Sequence, residues 1–210
     1  MRPSSAMRPE YLAAFTELIQ RIASPLSVLA KRSLPIRMYV AGGAAMHFYT
    51  GKCVSNDVDA VLSKRVALPS DLEVTYQDPD GAPRLLYFDR QYNGNFALMH
   101  DDAHDDSVPL ILKGIDPSVL DVRLFSALDL AVGKISRFSS QDRDDITALS
   151  KHGLIKSAAL RRRSEQAMEN YVGKLDTLKG AIDLACRIVE DAEQRNRLCP
   201  PSRTRSKCPL

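Results

Sequence analysis

Apolar residues recur at helical spacing through Leu12, Phe15, Leu18, Ile19 and Ile22, one stripe along a helix that packs against a sheet. That helix is expected over 9–22. Pro9 suits its first turn, Glu10 complements its dipole, and Ser24-Pro25 breaks it. A shorter helical piece is expected over 26–32. From residue 36 the period changes. β-Formers cover 36–40, Gly42-Gly43 follows at once, and 44–49 has helical composition. Gly51 closes that helix as a residue tolerant of left-handed geometry. Asp57-Val58-Asp59 then opens a second apolar run over 60–62. Residues 72–76 alternate, 77–83 are dense in turn formers and 84–88 read as strand, which predicts a β-hairpin extending the sheet in antiparallel fashion. Short strands are expected over 108–112 and 119–125.

The rest of the pattern is helical. Ser126 is the natural N-cap of a helix over 126–138, with Asp129 three residues on as its acidic partner. Ser139 or Ser140 caps the next, over 141–151, which Gly153 stops. Two more are expected over 158–171 and 175–195, the last with Leu178, Ile182, Leu184, Ala185, Ile188 and Val189 as apolar positions. They are read as an antiparallel pair packed on the preceding helices. The order predicts an α/β (α+β) fold, a small twisted mixed sheet flanked by helices with a helical C-terminal part. The expected division is a core over 1–125, a helical part over 126–195 and a disordered, Pro-rich, basic tail over 196–210. Met7 is an alternative start, with the first six residues disordered.

Composition narrows the class without naming a partner. A chain of 210 residues with 44% apolar and 26% charged residues can bury a proper core. A net charge of +3 permits nucleic-acid contact but does not argue for it. Cys53, Cys186, Cys199 and Cys208 lack the spacing of a zinc site or a disulfide framework and read as reduced thiols. No run approaches the roughly 18 apolar residues of a membrane span. No signal-peptide core follows the N-terminus, so no membrane contact and a cytoplasmic location are expected.

The candidate chemistry lies in Y-V-A-G-G-A-A-M-H-F-Y-T-G-K-C-V-S-N-D-V-D-A-V-L-S. Residues two apart on a strand share a face, so Asp57 and Asp59 present two carboxylates side by side. Their repulsion is relieved by a divalent cation, and hard oxygen ligands suit Mg²⁺ bound together with substrate phosphates. A turn without side chains, Gly42-Gly43, lets a phosphate reach backbone N–H groups at the positive end of a helix. Alone, each piece has a plain alternative, a tight turn or two solvated acids. Their order describes a site for a nucleoside triphosphate and its metal.

The motif G-G-x13-D-V-D resembles the signature of the DNA polymerase β-like nucleotidyltransferase superfamily. More narrowly, the chain is similar to small bacterial proteins of the AbiEii and minimal-nucleotidyltransferase kind, many of them from toxin–antitoxin or phage-defence loci. The resemblance implies Mg²⁺, or Mn²⁺, on Asp57 and Asp59, phosphate contacts at Gly42 and Gly43, and transfer of an NMP group from an NTP to an acceptor hydroxyl. It also implies a third carboxylate from a later strand, Asp89 or Asp106. The plain alternative for Asp89 is a turn aspartate. A second block, L-A-V-G-K-I-S-R-F-S-S-Q-D-R-D-D-I, resembles a K-x-x-R helix followed by D-x-x-D-I/L in the AbiEii-like relatives. By that resemblance Lys134 faces the triphosphate, and Arg137, Asp142 and Asp145 tie two helices together and position it. Simple surface pairing of those four is the alternative.

Two other clusters draw attention. His100-Asp101-Asp102-Ala103-His104-Asp105-Asp106 invites a metal reading, but its spacing matches no zinc motif and a solvated acidic turn is expected. Arg161-Arg162-Arg163 reads either as phosphate contacts for a nucleic-acid acceptor or as a solvated surface. Two function classes follow. One is an active nucleotidyltransferase acting on a tRNA or a protein, as the toxin of a pair. The other is a non-catalytic protein of the same fold acting as antitoxin or regulator. A small-molecule adenylyltransferase, acting on an antibiotic, is a third reading.

Overall fold

The computed structural model describes residues 7–52, 54–93 and 97–198. Helix α1, Pro9–Leu26, buries Tyr11, Ala14, Phe15, Leu18, Ile19, Ile22 and Leu26. It does not break at Ser24-Pro25. Leu26 continues the stripe one turn beyond Ile22 and is buried, and Pro25 falls in the last turn, where its missing N–H costs a single helical bond. No second helical piece follows. Val28 is 85% exposed and Leu29 has little to pack on, so only a 3-10 turn forms at Lys31–Ser33.

Strand β1, Ile36–Val40, is the centre of a four-stranded sheet of order β3-β1-β7-β6. Its antiparallel neighbour is β3, Ala60–Leu62, and its parallel neighbour is β7, Leu120–Leu124. The two-residue β6, Val108–Pro109, pairs antiparallel with β7. Helix α2, Gly42–Thr50, follows β1 directly and ends as expected, at Gly51 with φ +68.

The hairpin of β4, Glu73–Gln77, and β5, Pro83–Phe88, forms with antiparallel register as expected. It does not extend the first sheet. It joins β2, Asp57–Val58, in a second sheet of order β2-β5-β4, with β2 and β5 parallel. The single strand expected through the two aspartates is therefore shared between sheets. Val58 O accepts from the Asp89 N–H of the second sheet at 3.1 Å, and Asp59 O accepts from the Ala41 N–H beside the first at 2.8 Å. The backbone changes partner at Asp59. Both sheets are mixed, and the α+β class stands.

Four helices complete the fold: α3 Ala127–Ile135, α4 Ser140–Lys151, α5 Ser157–Met168 and α6 Leu175–Leu198. Helix α6 packs on α4 and α5, and α3 packs on α2, α4 and α5, which ties the helical part to the core. Ser126 and Ser139 are the N-caps, and α4 carries a full capping box with Asp142. Leu178, Ile182, Ala185 and Val189 are buried, whereas Leu184 is 50% exposed and lies off the stripe. Residues 196–198 continue α6 where a tail was expected. Residues 1–6 and 199–210, with Cys199, Cys208, Arg203 and Arg205, lie outside the described residues, as does Cys53. Cys186 is buried and free. No described helix is long and apolar enough to cross a membrane.

Candidate active site

The diglycine is the first turn of α2, and no side chain caps that helix. Gly42 has φ +56, in the left-handed region that favours glycine. The Asp59 carboxylate lies directly against it. A Cβ on Gly42 would overlap Asp59 Oδ2 and sit 2.9 Å from Cγ. Gly43 has the same relation to Ser55, whose Cβ would be 2.6 Å from an added Cβ. The Ser55 hydroxyl in turn donates to Asp57 Oδ1. Gly42 thus makes room for Asp59, and Gly43 for the serine that holds Asp57.

Val58 and Ala60 are buried while Asp57 and Asp59 remain half-buried, so the period of two survives the change of sheet. Asp89 stands one residue beyond β5. The parallel register Asp57↔Tyr87 and Val58↔Phe88 carries it alongside Asp59. Its Oδ1 accepts from the Gln91 N–H at 2.8 Å, an Asx turn. Burial, then the charges of Asp57 and Asp89, push the Asp59 carboxyl up to about 6 against the opposing pull of Lys134 and Arg137. Asp106 is not part of this group. It accepts from Arg163 Nη2 at 2.7 Å, and of the two expected candidates for a third carboxylate only Asp89 adjoins the pair.

Lys134 and Arg137, three apart on and just after α3, meet the start of α4. Lys134 Nζ lies 2.5 Å from Asp145 Oδ2 and 3.7 Å from Asp142 Oδ1. Arg137 gives Nε and Nη2 to the two Asp142 oxygens, each at 2.8 Å. These are not surface pairs, because the Asp142 and Asp145 side chains are only 1% and 3% exposed. Burial pushes the Asp142 carboxyl up, but Arg137 and the Ser139 donors outweigh it and hold the group far below the usual carboxylate range.

A cavity of about 260 Å³ joins the two blocks of sequence. Gly42, Asp59, Lys134, Arg137 and Asp142 form its polar wall, and Tyr92, Met99 and Phe125 much of its apolar one. Asp57 and Gly43 do not line it; they meet each other through Ser55. Sequence reasoning missed Ser55, Tyr92 and Phe125. Ser55 is two residues before Asp57, and only its contact with Gly43 marks it out.

The His100–Asp106 run is a 3-10 turn at Asp101–Ala103. Among the described residues no three His, Cys, Asp or Glu side chains are grouped to hold a metal. His104 packs its ring against Tyr39 and Phe125, with centroids 4.6 and 5.2 Å apart. Within the basic run, Arg163 is 12% exposed and pairs with the buried Asp129, Nε to Oδ1 at 2.8 Å, while Arg161 pairs with exposed Asp183.

Comparison with curated proteins and with solved structures finds no match. A family model does match, over residues 17–181, a span that contains both the diglycine and D-V-D block and the helix pair carrying Lys134, Arg137, Asp142 and Asp145. With most of its length and the whole of this site inside that match, the chain belongs to the family described as nucleotidyltransferase of unknown function (DUF6036).

Proposed function

We propose that the protein is a Mg²⁺-dependent nucleotidyltransferase that moves a nucleoside monophosphate from a nucleoside triphosphate to an acceptor hydroxyl. One observation carries the reading: Asp59 rests on the diglycine bend within electrostatic reach of two acids, Asp57 and Asp89, and two cations, Lys134 and Arg137. The donor set fits the metal. Asp57 and Asp59 are hard oxygen donors, one of them raised by burial and then by its neighbour's charge, and Mg²⁺ accepts one or two carboxylates with phosphates and water completing its shell. Mn²⁺ is the alternative ion. Asp57 and Asp59 would hold the ion, which would supply positive charge to the triphosphate oxygens.

The chain's own groups supply the rest. Backbone N–H groups at Gly42 and Gly43 receive phosphate oxygens at the uncapped start of α2. Lys134 and Arg137 offer two cations at the cavity, Lys134 held by Asp142 and Asp145 and Arg137 by Asp142. Asp89 takes the proton of the acceptor hydroxyl. The acceptor oxygen then bonds to the α-phosphorus as the bond from that phosphorus to the pyrophosphate oxygen breaks. Tyr92, Met99 and Phe125 give the nucleoside an apolar wall.

The test is incubation of the protein with each α-labelled NTP, Mg²⁺ and cell extract. Label should enter one fraction, and an Asp57→Ala, Asp59→Ala double variant should lose it. A folded protein that labels nothing sinks the enzyme and favours the non-catalytic antitoxin or regulator. The finer proposal is a tRNA or protein acceptor, with the enzyme as an AbiEii-like toxin of a toxin–antitoxin or phage-defence pair. It rests on motif resemblance, and a partner from an adjacent gene that binds tightly and suppresses labelling supports it.

A further inference from the structure

A second cavity, of about 580 Å³, opens between the α3–α4 link and the first half of α6. It shares Ser136 and Arg137 with the cavity that contains Asp59 and Lys134, so the two spaces adjoin at these residues. Its walls carry two aromatic rings, Phe138 and Tyr171, two cations, Arg137 and Lys174, and the Thr177 hydroxyl. Among the described residues no carboxylate lines it. Arg137 spends Nε and Nη2 on Asp142, yet its side chain is 70% exposed, which leaves one edge of the fork for a ligand. Among the described residues Lys174 has no ion pair.

Three local features shape this space. Phe138 holds φ +48, a conformation bulky residues rarely adopt, in the turn after α3, and the Arg143 guanidinium lies over its ring, 5.6 Å from the centroid. The Tyr171 ring lies over Gly173, where a Cβ would be 2.8 Å from its Cζ and hydroxyl. Gly180 stands inside α6 on the cavity wall, and a Cβ there would meet nothing within 4 Å. Glycine is a poor choice in a helix interior, and no neighbour requires it here. What it provides is an open wall.

Aromatic faces, cations and no acid select an anion that carries an aromatic ring. The volume lies in the range of small-molecule sites. We propose that this cavity is a subsite for a phosphorylated nucleoside, its base against Tyr171 and Phe138 and its phosphate at Arg137 and Lys174. The inference rests on the nucleotidyltransferase reading, under which this ligand is the acceptor or its terminal unit, held next to the donor triphosphate.

The probes are adenosine 5′-monophosphate, a free nucleotide, and a short single-stranded oligoribonucleotide, a chain end. Each is titrated into the full chain already saturated with Mg²⁺ and a non-hydrolysable triphosphate analogue. Tyr171→Ala and Lys174→Glu should each weaken probe binding about tenfold. Gly180→Leu should abolish it, and analogue binding should persist in all three. Gly180→Ala should raise the melting temperature, as alanine is the better helix former, while lowering probe affinity. Loss of folding cannot produce that split. Equal affinity for the two probes identifies a free nucleotide as the source, and a preference for the longer one a chain end. Probe binding that is absent, or unmoved by the variants, while the analogue binds overturns the subsite and leaves the enzyme reading intact. Transfer of label to a protein without probe binding does the same. An analogue that does not bind sinks both.

Discussion

Gly42 and Asp59 are in direct contact, the glycine backbone on the aspartate carboxylate, with no room between them for a single methyl group. Gly42→Ala carries two penalties. The left-handed φ of +56 costs about 1–2 kcal/mol for any residue with a Cβ. The added carbon must also displace the carboxylate, which is the larger effect on function. The variant should remain folded and lose binding of a non-hydrolysable NTP analogue with Mg²⁺ almost completely. Calorimetry beside a urea melt separates the two. Gly153→Ala, where an added Cβ meets nothing within 4 Å, pays the backbone term alone and should keep analogue binding.

Asp59 makes the metal-free protein sensitive to pH. Its folded carboxyl is raised to about 6, above the unfolded value near 4. Between those values the folded state holds more protons than the unfolded state, so stability falls as pH rises through that window. In EDTA, a series of melts from pH 4 to 8 should show that decline, and Asp59→Asn should flatten it and raise the melting temperature at neutral pH. Mg²⁺ should stabilise the unsubstituted chain at pH 7 and leave Asp59→Asn nearly unmoved. A flat wild-type profile in EDTA would contradict the charge environment described for this carboxylate.

Asp142 works in the opposite sense. It serves as the third residue of the α4 capping box and as the bidentate partner of Arg137 while almost wholly buried. Its depressed carboxyl contributes stability that is complete above about pH 4 and fades as the pH falls below that. Asp142→Ala removes one half of the capping box, the acceptor for the Ser139 N–H, and strands Lys134, 12% exposed, with Asp145 alone, at a cost of about 3 kcal/mol. Denaturant titration at pH 7 and at pH 3 should show the loss shrinking in acid.

The legible parts of this fold were local. Strand β1, the diglycine, α2 and Gly51 follow one another within sixteen residues, and each announces itself by composition or turn chemistry. The caps at Ser126 and Ser139 read equally well. The split of the D-V-D segment between two sheets did not. It depends on hydrogen bonds from Ala41 and Asp89, residues eighteen before and thirty after Asp59, and no periodicity encodes a change of partner. Pro25 misled because a breaker in the last turn costs one bond while Leu26 gains a buried seat. Pairing of Lys134 and Arg137 with Asp142 and Asp145 stood in the sequence only as the plain alternative, a surface contact; the burial of the two acids comes from the packing of α6 on α4 and of α3 on α4, which spacing does not encode.

The run Arg161-Arg162-Arg163 shows how far position outweighs type. Arg163 binds both oxygens of Asp129, at 2.8 and 3.1 Å, and that side chain is 3% exposed beneath the α3 N-cap. Its removal leaves a buried carboxylate with Ser126 as its remaining donor. Arg163→Ala should therefore cost about 3 kcal/mol. Arg161 lies 2.8 Å from Asp183, which is 56% exposed, and water replaces that bond readily. Arg161→Ala should cost less than about 1 kcal/mol. Urea melts of the two single variants, at low and at high salt, decide between this account and a run of interchangeable phosphate contacts. Equal losses that vanish together in salt would mean that Arg163 is as solvated as its neighbour, and the pairing that seats α5 on α3 would have to be abandoned.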